Sequence, residues 1–218
     1  ELMFTAKRID GYMGPIKIKI ANLPEALSAS KSVAIEANQF RAFTPVHLRR
    51  ATKYLDAEAV EKISLVASAE IGGEPVTKPL GNLGTIKVGK APQVIVEIQP
   101  EGENGKLADD GVLEFTIRAG ETVTARVVAQ RLGLKGRIDF GKEDSGRNLP
   151  HGLYVDNIGL NGLMIPDGKS EQRFFVTAAK WVPDMVREFH VRTTQDGKQS
   201  TKAVRIRVVL GDKLSQVE

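Results

Sequence analysis

Cysteine is absent from this chain of 218 residues, and tryptophan occurs once. The absence of cysteine excludes disulfides, thiolate metal sites and cysteine nucleophiles, so stability has to come from packing. No stretch approaches the ~18 consecutive apolar residues of a membrane-spanning helix, so we expect no membrane span. The excess of one charge over the other is also small, because 31 basic and 27 acidic residues leave a net charge of +4. Nucleic-acid binding proteins carry a stronger basic stripe, so we expect no nucleic-acid partner.

Signatures of catalytic and metal sites are equally scarce. The three histidines, His47, His151 and His190, are far apart and lack zinc-binding spacing, so we interpret them as solvated or locally hydrogen-bonded. No serine lies in a Gly-x-Ser-x-Gly motif. Residues 141–148 have the glycine spacing of a phosphate-binding loop, but arginine and asparagine replace its lysine and hydroxyl residue. We therefore expect a hairpin loop there, and predict neither enzyme activity nor a cofactor.

Carboxylates cluster in two predicted loops. Calcium takes several oxygen ligands from flexible loops, which makes such clusters possible hosts. No Asp-x-Asp-x-Asp-Gly pattern is present, so acidic solubilising loops are favoured over a calcium site, and we predict no metal ligands. The clustered residues are Glu101, Glu103, Asp109, Asp110, Glu143 and Asp144.

Alternation of apolar and polar residues dominates the chain and predicts an all-β protein. A period of two is typical of half-buried strands, and Asn-Gly and Asp-Gly pairs between the runs favour tight turns between antiparallel strands. Only residues 56–62 have helical propensity, and they are too few for more than a turn of helix in a loop. The spacing suits a β-sandwich. Strands are predicted at 16–20, 63–69, 84–88, 94–98, 113–117, 123–128 and 204–209.

The chain contains an internal repeat. Residues 8–16, which lead on to Asn22-Leu23-Pro24, have a counterpart at 131–138, which leads on to Asn148-Leu149-Pro150. The copies lie about 120 residues apart, which is too long for a solenoid unit and right for a small domain. Two related domains in series are therefore predicted.

The predicted domains are residues 1–89 and 90–212, followed by a frayed tail at 213–218. By analogy with the second copy, the first lacks about 30 residues that should precede it. We therefore interpret the chain as a fragment whose first domain lacks its opening strand.

Residues 148–166 and 174–183 carry the most specific patterns, including Asn148-Leu149-Pro150-His151-Gly152 and Lys180-Trp181-Val182-Pro183. They resemble tandem immunoglobulin-like β-sandwich repeats of large exported planctomycete-type bacterial proteins, which often lie next to bacterial pre-peptidase C-terminal domains. The resemblance is strong over 123–210 and looser over 4–88. It implies two immunoglobulin-like sandwiches in an extracytoplasmic setting (periplasmic, cell surface or secreted), and it brings no catalytic or ligand residues.

Two groups of side chains are candidates for a ligand or partner surface. A basic group suits an acidic polysaccharide or an anionic partner, although a solvated face that protects a sheet edge is favoured. Tyr54 and Trp181 occupy matching places in the two copies. Exposed, they would stack on sugars, but buried core anchors are favoured. The basic group is Arg41, His47, Arg49, Arg50 and Lys53.

The sequence thus predicts a non-catalytic structural and binding module of a larger exported or cell-surface bacterial protein, acting as a spacer or protein-interaction scaffold. Its expected partners are other domains of the parent chain or other protein subunits, which would join by strand addition to the first domain. The alternative is a carbohydrate-binding accessory module of an exported enzyme, assisted by calcium, with polysaccharide as its partner.

Overall fold

The computed structural model shows an all-β protein of several sheets, consistent with β-sandwich packing. It divides into two units, with the boundary between Ala91 and Pro92, whereas the sequence predicted a boundary between 89 and 90. The predicted tail at 213–218 lies outside the described residues. The structure describes residues 1–30, 32–49, 52–141, 143, 145–156 and 158–210.

In the part of the chain that the structure describes, the first unit contains eight strands and one helix. Strands β4, β2, β7 and β8 form an antiparallel sheet in that order, β1 pairs with β5, and β3 pairs with β6. The Ile-Lys alternation of β2 buries Ile18 and Ile20 on one face, so the predicted strand is confirmed. The elements are β1 (Leu2–Thr5), β2 (Ile16–Ala21), β3 (Leu27–Ala29), β4 (Ser32–Ile35), β5 (Arg41–Thr44), β6 (Val46–Leu48), α1 (Ala57–Glu61), β7 (Ser64–Ile71) and β8 (Glu74–Gly81).

Helix α1 is the turn of helix that the sequence predicted. Asp56 caps its amino end by accepting a hydrogen bond from the Glu58 N–H at 3.1 Å, and Val60 is buried in the core. Such caps satisfy N–H groups that have no partner inside the helix. The helix is five residues long, and the described part of the chain holds no helix that could cross a membrane.

Ten strands are described in the second unit. One sheet has the order β14-β16-β12-β9, a second has the order β10-β11-β18-β17, and β13 pairs with β15. All pairs are antiparallel except β11 with β18, which is parallel. The strands are β9 (Val94–Pro100), β10 (Gly105–Leu107), β11 (Leu113–Arg118), β12 (Thr122–Arg131), β13 (Ile138–Gly141), β14 (Leu153–Asp156), β15 (Leu163–Ile165), β16 (Glu171–Ala178), β17 (Met185–Phe189) and β18 (Val204–Val209).

Each unit has its own hydrophobic core. Four phenylalanines of the second unit, Phe115, Phe140, Phe174 and Phe189, are at most 1% exposed. The core of the first unit is smaller and consists mainly of aliphatic side chains, with Phe4 at its edge at 9% exposure. Burial of apolar area is the main contribution to the stability of a fold. Because the second unit has the larger core, this contribution is larger there than in the first unit.

The strand predicted at residues 84–88 is wrong. Leu83 and Ile86 pack against the core of the first unit, but no described strand forms a ladder with this segment. A strand needs a partner for its N–H and C=O groups. In the second unit the last strand, β18, has such partners on both sides, in β11 and β17.

Candidate functional site

The structure does not bring the predicted basic group together. Arg41 begins β5, which pairs with β1, whereas Arg49 follows β6, which pairs with β3 in a different sheet. His47 lies between them in β6, half-buried and opposite Ser28. Arg50 lies outside the described residues.

The exposed members of this group carry little of the fold's stability. Arg49 forms an ion pair with Glu25 at 2.6 Å, and the two side chains are 64% and 86% exposed. An exposed pair of this kind contributes about 0–1 kcal/mol. Lys53 is exposed as well. These side chains are thus accessible to a partner.

Both aromatic residues are on the surface, so the expectation that they anchor the core is wrong. Tyr54 is 82% exposed and Trp181 is 61% exposed. Val182, which is fully buried, occupies the core position beside Trp181. Trp181 lies in the turn closed by the hydrogen bond from the Val182 N–H to the Ala179 carbonyl, and its side chain projects to the surface.

A hydrogen bond in corresponding places aligns the loops that carry these aromatics. In the first unit the Arg49 N–H donates to the Ala26 carbonyl at 2.8 Å, and in the second unit the Ala179 N–H donates to the Gly152 carbonyl at 2.8 Å. Ala26 and Gly152 each follow the Asn-Leu-Pro motif by two residues. Arg49 therefore corresponds to Ala179.

The next hydrogen bond shows that the two aromatics do not match, which corrects the sequence alignment. The Thr52 N–H donates to the Arg49 carbonyl at 2.9 Å, and the Val182 N–H donates to the Ala179 carbonyl at 3.1 Å. Thr52 therefore corresponds to Val182, and the tryptophan corresponds to position 51, which lies outside the described residues. Tyr54 comes three positions later. The segment between the Asn-Leu-Pro motif and the aromatic loop differs in length between the two units, and this difference produced the false match.

The ring of Trp181 rests on the backbone of Gly152. A Cβ atom built on Gly152 would lie 2.6 Å from Cη2 and 3.0 Å from Cζ2 of the indole, and the φ of Gly152 is +89°. Only glycine fits both this contact and this φ without strain. The exposed His151 lies beside the indole, with 5.1 Å between ring centroids and 45° between ring planes.

An arginine closes the loops at one end of each unit. In the first unit the guanidinium of Arg8 donates to the carbonyls of Gln39 at 2.8 Å, Gly14 at 2.7 Å, Glu36 at 2.7 Å and Tyr12 at 3.4 Å. Its Cζ also lies 6.0 Å from the ring centroid of Tyr12. Two separate loops are therefore tied to one cation.

Arg131 makes the same kind of contacts in the second unit. Its guanidinium donates to the carbonyls of Gly136 at 2.7 Å, Lys169 at 3.1 Å, Leu134 at 3.3 Å and Pro166 at 3.3 Å. In both units Nε bonds to the later loop, Nη1 to two carbonyls of the earlier loop, and Nη2 to the later loop. Both arginines were present in the repeated motif, but their role was not predicted.

The carboxylates whose pKa is lowered accept hydrogen bonds from arginine side chains. Hydrogen bonds from Arg207 hold the pKa of the Glu114 carboxyl below its ordinary value, against the opposing effect of burial. Arg205 likewise lowers the pKa of Asp110, which it contacts at 2.5 Å. Glu114 and Arg207 lie on neighbouring strands β11 and β18, so the pair ties the parallel ladder together.

The acidic loops predicted as solubilising are partly engaged in the same way. Glu101 pairs with Arg173, whose hydrogen bonds lower the pKa of that carboxyl. Within the described residues no group of three or more His, Asp or Glu side chains could hold a metal ion. Asp144 lies outside those residues.

Residues 143 and 145–148 lie between β13 and β14, but β13 pairs with β15 and β14 pairs with β16, so the hairpin expected here is wrong. Ser145 is buried, its hydroxyl donates to the Gly141 carbonyl, and it accepts a hydrogen bond from the Leu163 N–H at 3.3 Å. Arg147 forms a β-bridge with His190. His190 is 1% exposed, so of the two interpretations, solvated or locally hydrogen-bonded, the first is wrong for this residue, because the bridge carries it into the core.

Comparisons with known proteins add little. No protein family model matches the chain, and no curated protein matches it. Among solved structures the chain is similar to the VesB protease of Vibrio cholerae, with 11% identity and a TM-score of 0.31 over 90% of this chain and 62% of that one. The chain thus spans less than two thirds of that structure, and a similarity this weak carries no inference about fold or activity.

Proposed function

We propose that this protein is a non-catalytic structural and binding module of a larger exported or cell-surface bacterial protein. Each unit would be an immunoglobulin-like sandwich. The order β14-β16-β12-β9 in the second unit supports this, because it is the order D-E-B-A of an immunoglobulin-type sheet. The resemblance of residues 148–166 to exported tandem repeats supports the extracytoplasmic setting.

Arg8 and Arg131, which we call the arginine clamps, support the proposal that the two units arose by duplication of one domain. Arg8 and Arg131 each bond to four carbonyls through the same nitrogens. The strand pairs that flank them also correspond, since the Ala6 N–H donates to the Phe40 carbonyl at 2.9 Å and the Ala129 N–H to the Ser170 carbonyl at 2.7 Å. Strand β1 is therefore the counterpart of β12, and β5 of β16.

The observation that carries the binding role is the open edge of β1. Strand β12 pairs with β16 on one side and with β9 on the other, whereas in the described residues β1 pairs only with β5. The Ala6 N–H points towards β5, and successive N–H groups point to opposite sides, so those of Met3 and Thr5 face the open edge. Met3 is 57% exposed. An unpaired edge is a template for another strand.

Strand β9 of the second unit indicates which side chains a strand paired with the open edge of β1 would carry. In β9 the buried residues Val94, Val96 and Ile98 alternate with exposed or half-exposed ones, including Glu97. Glu97 pairs with the residue of β12 that corresponds to Thr5. On the first unit such a glutamate would lie two strands, about 10 Å, from the exposed Arg41. The partner is therefore an antiparallel strand from another part of the parent chain or from another protein, with alternating apolar residues and an acidic residue at this place.

Fluorescence anisotropy with a labelled peptide tests this proposal. The probe has the sequence of residues 92–101, and we expect it to bind the full chain saturably. Thr5→Pro removes an N–H that faces the open edge while leaving the β1–β5 ladder intact, and should weaken binding at least about tenfold. Thr5→Val, which keeps the N–H, should bind as well as the unchanged chain.

Two controls make the result specific. A peptide in which the three apolar residues of β9 are replaced by aspartate should not bind, because its strand could not face the core. Equal affinity for the Thr5→Pro chain, or no binding of the unaltered peptide, would count against strand addition.

A further inference from the structure

The surroundings of Trp181 form a preorganised aromatic platform. The Cη2 and Cζ2 atoms of the indole lie against Gly152, and 61% of the side chain is exposed to solvent. His151 lies beside it with ring centroids 5.1 Å apart and extends the aromatic surface. A large exposed aromatic side chain is able to contact another molecule through its apolar surface.

Both loops under the platform are anchored to the core. The Ala179 N–H donates to the Gly152 carbonyl at 2.8 Å, and the Val182 N–H donates to the Ala179 carbonyl at 3.1 Å. Val182 is fully buried and Pro150 is buried on the other side. The indole is therefore held in place before a ligand arrives, which reduces the entropy lost on binding.

The neighbouring surface is polar. The Gly120 N–H donates to the Ala178 carbonyl at 2.9 Å, which brings the β11–β12 turn to the same loops. A Cβ atom on Gly120 would lie 2.9 Å from Cγ of Lys180, and the exposed Glu121 follows. The turn that meets the loop of Trp181 thus carries a carboxylate, and Lys180, next to Trp181 in the chain, packs against this turn.

The first unit has the same loop without the platform. Its hydrogen bond from the Arg49 N–H to the Ala26 carbonyl keeps the backbone arrangement, but Ala26 replaces the glycine, and Glu25, paired with Arg49, replaces the histidine. Position 51, which corresponds to the tryptophan, is an alanine in the sequence. The fold thus does not require an aromatic residue here, and the platform is a property of the second unit alone.

We propose that Trp181 and His151 form a subsite for one pyranose ring of a glycan. The C–H face of the sugar stacks on the exposed part of the indole. Hydroxyl groups at the edge of the ring hydrogen-bond to the ammonium of Lys180 and the carboxylate of Glu121. This site is independent of the open edge of β1, and the module would bind a glycan by one unit and a polypeptide by the other.

The chain contains one tryptophan, so its intrinsic fluorescence reports directly on this site. We would titrate the full chain with purified hexasaccharides of glucose, xylose, mannose and N-acetylglucosamine. At least one should shift or quench the emission saturably. Gly152→Ala displaces the indole and should weaken the response about tenfold. Tyr54→Ala, which removes the exposed aromatic of the first unit, should leave it unchanged.

Because Gly152→Ala has an unfavourable φ and can unfold the unit, a second variant is needed. Trp181→Ala changes an exposed side chain, and circular dichroism should show an unchanged melting temperature, while isothermal titration with the best hexasaccharide should show binding lost. Absence of a response to all four sugars, an equal loss in Tyr54→Ala, or an emission change produced only by the strand peptide would overturn the proposal. The last outcome would mark the platform as part of a polypeptide interface.

Discussion

At the scale of single residues, arginine side chains have two different structural roles in this molecule. Arg8 and Arg131 donate hydrogen bonds to main-chain carbonyls, whereas Arg205 and Arg207 pair with carboxylates. The planar guanidinium offers five N–H groups in fixed directions, so one side chain can satisfy several carbonyls that loops leave without partners. The clamp arginines are thus structural residues of the loop ends.

Replacement of Arg131 by lysine tests this role. An ammonium has three donors on one atom and cannot reach four carbonyls in two loops, so Arg131→Lys should destabilise the second unit by about 2–3 kcal/mol. Urea unfolding followed by tryptophan fluorescence measures the loss. Arg137→Lys is the control, because Arg137 is 61% exposed and pairs with Asp139 at 3.0 Å. Equal losses in both variants would refute the clamp.

At the scale of elements, the parallel ladder of β11 and β18 depends on a buried carboxylate. The side chain of Glu114 is 7% exposed and accepts hydrogen bonds from Arg207 at 2.7 Å and from Arg205 at 3.4 Å. The pKa of Glu114 is lowered in the folded protein. Its contribution to stability is therefore complete above its ordinary pKa of 4.5, and is lost as the pH falls through the lower folded value.

Glu114→Gln should remove this pH dependence. The free energy of unfolding of the unchanged chain should fall more steeply below about pH 4.5 than that of Glu114→Gln, since only the former has a carboxylate to protonate. Urea unfolding at several values between pH 3 and pH 7 measures both slopes. Glu103→Gln, on an exposed turn, is the control and should keep the slope of the unchanged chain. Parallel curves for Glu114→Gln and the unchanged chain would contradict this reasoning.

Elements also show where sequence patterns succeed. Alternation predicted β2, β7, β9, β11, β12 and β18, because the period of two follows from backbone geometry alone. It failed at 84–88, where the residues alternate but no partner strand completes a ladder. Periodicity states which side chains share a face, and it does not state which edge is paired.

The site was harder to predict for a related reason. The contact of Trp181 with Gly152 joins two loops about thirty residues apart in the sequence, and repeat matching placed Tyr54 in the wrong register. The available signal was the replacement of Glu25-Ala26 by His151-Gly152 after the same Asn-Leu-Pro motif. This replacement within an otherwise matching motif was a better indication of the Trp181 platform than the sequence positions of Tyr54 and Trp181.

At the scale of the whole molecule, the separate cores predict separate responses to core substitution. Phe174→Ala should destabilise the second unit by about 3–5 kcal/mol, and Ile18→Ala the first by about 2–5 kcal/mol, through lost burial and the cavity that remains. Tryptophan fluorescence reports only the second unit, while circular dichroism reports both. Ile18→Ala should therefore change the dichroism transition and leave the fluorescence midpoint in place. A shift of both midpoints would show that the units unfold together.

The arginine clamps also bear on how freely the loops can diverge. A carbonyl oxygen is present in every amino acid, so a loop held by its carbonyls keeps its anchor whatever side chains it carries. Residues between the anchor points can then be exchanged with little cost to the framework. The clamped ends are consequently natural places for randomised libraries, in which new recognition specificities are selected on an unchanged scaffold.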